Sequence, residues 1–185
     1  DTGEEGVNSA VPAWLVNRED NLINDFRRGI FLEDADTLLP WDFSREELGT
    51  IANPIQQESS DRFLLHWNGH VLFGGVKVQV EAVFYKENRQ AHDHHNASGR
   101  LHGVNLNFPQ MENLHPREQF ERLKIDFIQA LGAPSFEREG NSQSSDLPLA
   151  KWELPDALVV LMVFEHFFEY CVCEVRHKPR PAKIK

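Results

Sequence analysis

Apolar and polar residues alternate with a period of two in the middle of this chain, which is the pattern of half-buried β-strands. The alternation runs through 76–82 and returns over 104–108. Before it, segments 62–67 and 70–73 flank the pair Asn68-Gly69, which favours a two-residue hairpin turn. Gly74-Gly75 is then expected to form a bulge or bend. These signals predict antiparallel strands here.

Three segments are predicted to be helices. Asp20 can cap a helix that ends near Arg28. Ser44-Arg45-Glu46-Glu47 matches the capping box of a short helix that stops at Asn53-Pro54. A third helix begins at Pro116 and stops at 132–134. Its apolar stripe consists of Phe120, Leu123, Phe127, Ile128 and Leu131.

The second half of the chain repeats the order of the first half. After the third helix, strands are predicted at 149–154, 157–164 and 170–176. Trp152 lies in the first of these strands, much as Trp67 does in the earlier half. We interpret the order as a diverged tandem repeat, although helix-then-meander is also common in unrelated α+β domains. Segment 157–164 is wholly apolar and is expected to be fully buried.

The predicted fold class is therefore α+β, with two helix-then-antiparallel-meander units and an extra N-terminal helix. The expected parts are an N-terminal arm and helix over 1–36, a first helix-plus-sheet unit over 37–110, a second unit over 111–178 and a basic tail over 179–185. At 185 residues, these parts are expected to form one compact body.

The net charge of the chain favours some classes of binding partner over others. The formal net charge of −10 argues against nucleic acid, because binding phosphates requires a basic surface. A basic protein partner fits better, and solubility alone is the competing explanation. No apolar run is long enough for a membrane span. Cys171 and Cys173 alternate in one predicted strand and are expected to be reduced, packed thiols, which favours a reducing compartment.

Histidines supply one candidate chemistry. The segment His92-Asp93-His94-His95 carries zinc-ligating side chains, so a metal-dependent enzyme using His92, His94 and His95 is an alternative. The spacing is not a known metal motif, and adjacent histidines at a loop tip are usually solvated. The chain also lacks the Gly-x-Ser-x-Gly of serine hydrolases and the glycine loops that bind phosphates. We therefore predict no enzyme, no metal and no cofactor.

Acids around a tryptophan supply a second candidate. The candidate partner-binding residues are Glu33, Asp34, Asp36, Trp41 and Asp42, because an acidic rim around an aromatic anchor is typical of a protein interface. An acid/base pair is one alternative, and a core tryptophan with solvated acids is another. Phe167-Phe168 falls in a predicted turn, where exposed rings would indicate a contact surface.

A family resemblance points in the same direction. Segment 39–48, then Ala52-Asn53-Pro54 and the meander that contains Trp67, resemble a repeat of the small outer-membrane assembly lipoproteins and the β-lactamase-inhibitor proteins. Bacterial immunity proteins that neutralise secreted toxins are also similar. The resemblance covers about 38–108 and, more weakly, 116–177. The chain lacks the inhibitors' paired cysteines and a lipobox, so no functional residue is carried over.

What the resemblance implies is a binding scaffold. We predict a bacterial immunity protein that blocks a toxin or effector domain by direct complex formation, in the cytoplasm or, alternatively, the periplasm. Its contacts are expected around Trp41 or on an exposed sheet face, and its negative charge would speed the capture of a basic toxin. A structural or assembly module remains a further alternative.

Overall fold

The computed structural model describes residues 26–86, 95–109, 111, 113–141 and 146–178. Most of the predicted N-terminal helix lies outside these residues, and only its last turn, 26–28, is described as helical. Two short strands follow, β1 (Gly29–Leu32) and β2 (Thr37–Pro40), which pair as an antiparallel hairpin around a 3-10 turn, Glu33–Ala35. The two helices after it are α1 (Arg45–Leu48) and α2 (Pro116–Leu131).

Eight further strands form a single antiparallel sheet in the order β3-β4-β5-β6-β10-β9-β8-β7. They are β3 (Ile55–Glu58), β4 (Arg62–Leu72), β5 (Val76–Tyr85), β6 (Gly103–Asn107), β7 (Phe136–Arg138), β8 (Leu149–Glu153), β9 (Ala157–Glu165) and β10 (Glu169–His177). The edge strands β3 and β7 are short and exposed, and their polar sequences do not carry the alternation that identifies the inner strands.

The α+β prediction of two helix-then-meander units is wrong. Strands make up 47% of the described residues and helices only 19%, and α1 is a single turn. The strands of both halves belong to one sheet, because β6 pairs with β10 from Gly103 opposite Arg176 to Asn107 opposite Val172. Local hydrophobic patterning identifies strands, but it does not determine which strand edges pair over long distances.

The hairpin predicted at Asn68-Gly69 is also wrong. β4 continues through this pair and both of its halves bond to β5, with a bulge between Trp67 and His70. The chain reverses instead at 73–75, where Gly74 and the two residues beside it have positive φ angles. The bulge therefore lies at Asn68-Gly69 and the turn at Gly74-Gly75, the reverse of the prediction. The reason is that β5 is long enough to pair with the whole of β4.

Alternation along the strands divides the sheet into two faces. One face is buried against α2, which packs on β9 and β10, and against the β1–β2 hairpin, which packs on β4. The indoles of Trp67 and Trp152 lie in this core and donate to the carbonyls of Ile51 and Gly132, respectively. We call the other side the open face; its side chains in β9 are only half-buried, so the expected burial of 157–164 on both faces is not found.

Three predicted helix boundaries are confirmed, but α1 ends at Leu48, before the predicted stop at Asn53-Pro54. Ser44 and Glu47 form the reciprocal capping box at the start of α1. Pro116 opens α2, and Gly132 follows its last residue. In its predicted apolar stripe, Phe120, Leu123 and Phe127 are buried, whereas Ile128 is exposed. In the described part of the chain, neither helix is long and apolar enough to cross a membrane.

Candidate protein-binding surface

Trp41 lies in the core and is only 5% exposed. Its indole nitrogen donates to the carbonyl of Phe26 at 2.7 Å, and its ring stacks on His177 with centroids 5.2 Å apart. An interface anchor must be reachable by a partner. In this structure Trp41 instead joins the segment before β1 to the end of β10.

The four acids near Trp41 in the sequence do not surround one surface. Glu33 accepts a hydrogen bond from the amide of Gly74 at 2.8 Å, so it holds the 3-10 turn against the β4–β5 turn. Asp36 is exposed, in a left-handed conformation, just after the 3-10 turn. The Asp42 carboxylate lies 3.4 Å from His102. The structure therefore separates the acids that the sequence places together.

Asp34 has the most complete structural role of these acids. It accepts from the amide of Val71 at 2.8 Å and contacts Nδ1 of His70 at 3.0 Å. Burial opposes its ionisation, but these two hydrogen bonds outweigh that effect and lower the pKa of Asp34. The carboxylate therefore remains charged at neutral pH and fastens the 3-10 turn to β4.

The histidine cluster is only partly covered by the described residues, since His92 and His94 lie outside them. The ring of His95 is half-buried rather than solvated, and its Nδ1 lies 3.3 Å from Glu174 of β10. His102 is directed to Asp42 instead, and its ring is parallel to that of His177. The described residues contain no group of three or more His, Cys, Asp or Glu placed to hold a metal ion.

Both cysteines are buried, free thiols on the covered face of β10. Burial raises the pKa of Cys171 to about 12 and also raises the pKa of Cys173. Both groups are therefore protonated at neutral pH, and nucleophilic attack requires the thiolate. Their role is packing, as the sequence predicts.

Among the residues that the structure describes, the most exposed large apolar groups are at the turn between β9 and β10. Phe167 is 86% exposed and Phe168 is 75% exposed. Behind the turn, Phe164 and Tyr170 lie directly opposite each other on the open face, with ring centroids 5.5 Å apart. We call Phe164, Phe167, Phe168 and Tyr170 the aromatic hairpin. Single exposed apolar residues are ordinary, but a contiguous group of rings indicates a contact surface.

The aromatic hairpin continues into half-buried apolar side chains on the open face. Val172 in β10 lies opposite Met162 in β9, which in turn lies opposite Leu149 in β8. We call these three residues the apolar strip. Sequence reasoning identified Phe167-Phe168 but missed the strip and Phe164, because it assigned the apolar run of β9 to a fully buried strand.

Polar groups occupy the open face on the other side of β10. Glu174 contacts His95 and Arg176. Burial disfavours its charge, but hydrogen bonds from these two residues outweigh that effect and lower the pKa of Glu174 to about 2. In the next strands, Asn105 donates to Glu81, which lies 3.5 Å from His66. Glu174 and Asn105 are thus paired within the chain, whereas neither ring nitrogen of His66 has a hydrogen-bond partner among the described residues.

An ion pair holds the aromatic hairpin to α2. Arg117 in the first turn of α2 donates to both carboxylate oxygens of Glu169, with its shortest contact at 2.9 Å. The hydrogen bond between them lowers the pKa of Glu169 and raises the pKa of Arg117. A bidentate arginine fixes the direction as well as the distance of its partner. The base of the hairpin is therefore oriented before any partner binds.

Comparison with known proteins identifies no relative. No family model matches the chain, and neither a curated protein nor a solved structure matches it. The resemblance to inhibitor and lipoprotein repeats therefore remains an expectation from the sequence.

Proposed function

We propose that this chain is a protein-binding inhibitor, and specifically an immunity protein that neutralises a bacterial toxin by forming a direct complex with it. The observation that carries the proposal is the exposure of the aromatic hairpin next to the apolar strip. Keeping several rings in water is unfavourable by about 25 cal/mol for each Å² of apolar surface, so a partner that covers them gains that free energy.

The exposed groups are suited to binding. Aromatic residues supply large, rigid contact areas and dominate the energetics of many interfaces. The hairpin is held by its cross-strand ring pair and by the contact of Arg117 with Glu169. This pre-organisation reduces the entropy that binding costs.

The inhibitory role is supported by charge and by the sequence resemblance. A chain with net charge −10 attracts basic proteins over long distances and repels other acidic ones. Immunity proteins, which the sequence resembles, act by covering a toxin surface. The contact is assigned to the aromatic hairpin and the apolar strip rather than to Trp41, because Trp41 is buried.

The test is capture followed by neutralisation. Tagged full-length chain is expressed in its source cell, and any protein retained at one-to-one stoichiometry is identified and then expressed alone in a bacterial host. We expect that protein to arrest growth and co-expression of this chain to restore it. A retained protein that is harmless, or whose toxicity persists on co-expression, contradicts the inhibitory role and favours an assembly module.

A further inference from the structure

We infer that the aromatic hairpin inserts Phe167 and Phe168 into an apolar pocket of the partner protein, and that basic side chains border this pocket. The inference rests on the proposed protein-binding function and specifies the chemistry of the partner. It assigns the apolar contact to the turn of the hairpin and the charge contact to the acids around it.

The geometry of the turn favours a pocket over a flat surface. Residues 166–168 connect β9 to β10, whose last ladder pair is Glu165 opposite Glu169. Phe167 and Phe168 are thus carried at the end of two paired strands, and both are far more exposed than Phe164 or Tyr170 behind them. Two adjacent rings at the end of a supported ribbon reach their full burial only inside a concave site.

The charges around the turn determine which kind of pocket fits. Glu165 and Glu169 flank the three turn residues. Arg117 contacts this region, but its guanidinium is already bound to Glu169. In the described part of the chain, Glu165 forms no ion pair of its own, but Arg117 lies close enough to attract it, so two carboxylates share one guanidinium charge. The border of the apolar tip is therefore acidic.

The neighbouring surface of α2 carries both signs, because Arg122 is exposed beside Glu118 and Glu121. Glu118 and Glu121 are exposed in its first turns, and Lys124 is paired with both Glu121 and Glu137. A basic border on the partner would complement these acids and accelerate association at low salt. A second copy of this chain or an anionic membrane would instead bring like charges together, given the net charge of −10.

Three variants and one photo-crosslink test this inference in the full chain. The probe is the protein that wild-type chain retains at one-to-one stoichiometry, purified separately. We expect the double variant Phe167→Ala/Phe168→Ala to bind this probe about 30-fold or more weakly, mainly through faster dissociation. The matched control is Phe136→Ala, which removes a phenylalanine that is 53% exposed on edge strand β7 and should change the affinity less than about threefold.

Charge is tested separately from apolar contact. Glu165→Gln should slow association at low salt and reduce its dependence on salt, with little change in dissociation. A p-benzoylphenylalanine placed at position 167 should crosslink to a segment of the probe that contains both apolar and basic residues. Circular dichroism of each variant checks that the fold is intact.

The outcomes separate this inference from the proposed function. A double variant that binds and neutralises the probe like wild type overturns the inference and leaves the inhibitory function standing. A crosslinked segment without basic residues, or association that is insensitive to salt, overturns the basic border. Both proposals fail if no protein is retained and the hairpin instead mediates self-association, seen by light scattering and lost in the double variant. Both also fail if none is retained and the hairpin binds phosphatidylglycerol vesicles.

Discussion

Gly103 at the start of β6 is required because the ring of His95 lies against it. A Cβ atom at this position would lie 2.3 Å from His95 Cδ2, well inside van der Waals contact. His95 also contacts Glu174 in β10, the strand next to β6. Because Gly103 has no side chain, the ring of His95 can cross β6 and reach Glu174. The sequence gives no local signal for this requirement, because the two residues are brought together by the sheet.

Substitution of Gly103 tests this contact. We expect Gly103→Ala to lower the free energy of unfolding by about 1–3 kcal/mol, because the added methyl group displaces the ring. In a His95→Ala background, Gly103→Ala should lower the free energy of unfolding much less. The coupling free energy of this double-mutant cycle measures the clash. The measurement is urea unfolding of the four proteins. Equal costs in both backgrounds would contradict the contact.

His177 is a half-buried histidine stacked between Trp41 and His102. Burial lowers the pKa of His177, and the positive charge of His102 lowers it further. The negative charges of Asp42 and Asp156 act in the opposite direction, but they do not outweigh burial. The folded protein therefore holds a proton at His177 less readily than the unfolded chain, which takes it up near a pH of about 6.5. His177 therefore lowers the free energy of unfolding as the pH falls below about 6.5.

The variant His177→Phe should remove this contribution, because phenylalanine keeps a flat ring against Trp41 and carries no proton. We expect the free energy of unfolding to fall less between about pH 7 and about pH 5.5 in the variant than in wild type. Chemical unfolding at both pH values measures the difference. His166→Phe, at an exposed position in the β9–β10 turn, is the control. If the free energy of unfolding falls equally with pH in wild type and in His177→Phe, His177 is not the source of the pH dependence.

At the scale of elements, the aromatic hairpin and α2 behave as a linked pair. Glu169 begins β10 and receives the bidentate contact from Arg117 in α2. We expect Glu169→Gln to weaken this contact, because the neutral amide loses the charge and one acceptor oxygen. Amide hydrogen exchange over 164–170 should then rise several-fold, while the urea midpoint changes little, since both groups remain accessible to solvent.

Glu153→Gln is the matched control, because Glu153 forms a surface ion pair with Lys151 in β8 and does not contact the hairpin. It should leave exchange over 164–170 unchanged. If Glu169→Gln also leaves exchange unchanged, the hairpin is held by the strands and its ring pair alone. An increase spread through the whole sheet would instead indicate general destabilisation.

β4 shows why elements and their connections are not equally predictable. Its strand residues follow from alternation, and the structure confirms them as strand. The positions of its bulge and turn do not follow, because Asn68-Gly69 and Gly74-Gly75 both permit positive φ angles. The choice is made by pairing with β5, which satisfies the backbone groups on both sides of the bulge.

At the scale of the whole molecule, the eight-stranded sheet creates the candidate surface. Joining β6 to β10 places the polar groups around Glu174 beside the apolar strip that contains Met162. The covered face is closed by α2 and the β1–β2 hairpin, which leaves the open face and the aromatic hairpin for a partner. None of these groups is adjacent in sequence to the acids that were expected to form the interface.

The sequence by itself determined most strands, the capped start of α1, the start and stop of α2, the packed thiols, the acidic charge and the presence of Phe167-Phe168 in a turn. These properties depend on residues close in the chain or on composition, so their physical causes are local.

Only the tertiary structure decided that β3 to β10 share one sheet, that Trp41 is buried, and that Glu33, Asp34 and Asp42 contact different residues. It also decided which side of β9 is open. Each of these outcomes depends on which strand edges pair and which faces are covered, and those contacts join residues far apart in the chain. Alternation indicates that a strand has two faces, but packing alone decides which face meets solvent.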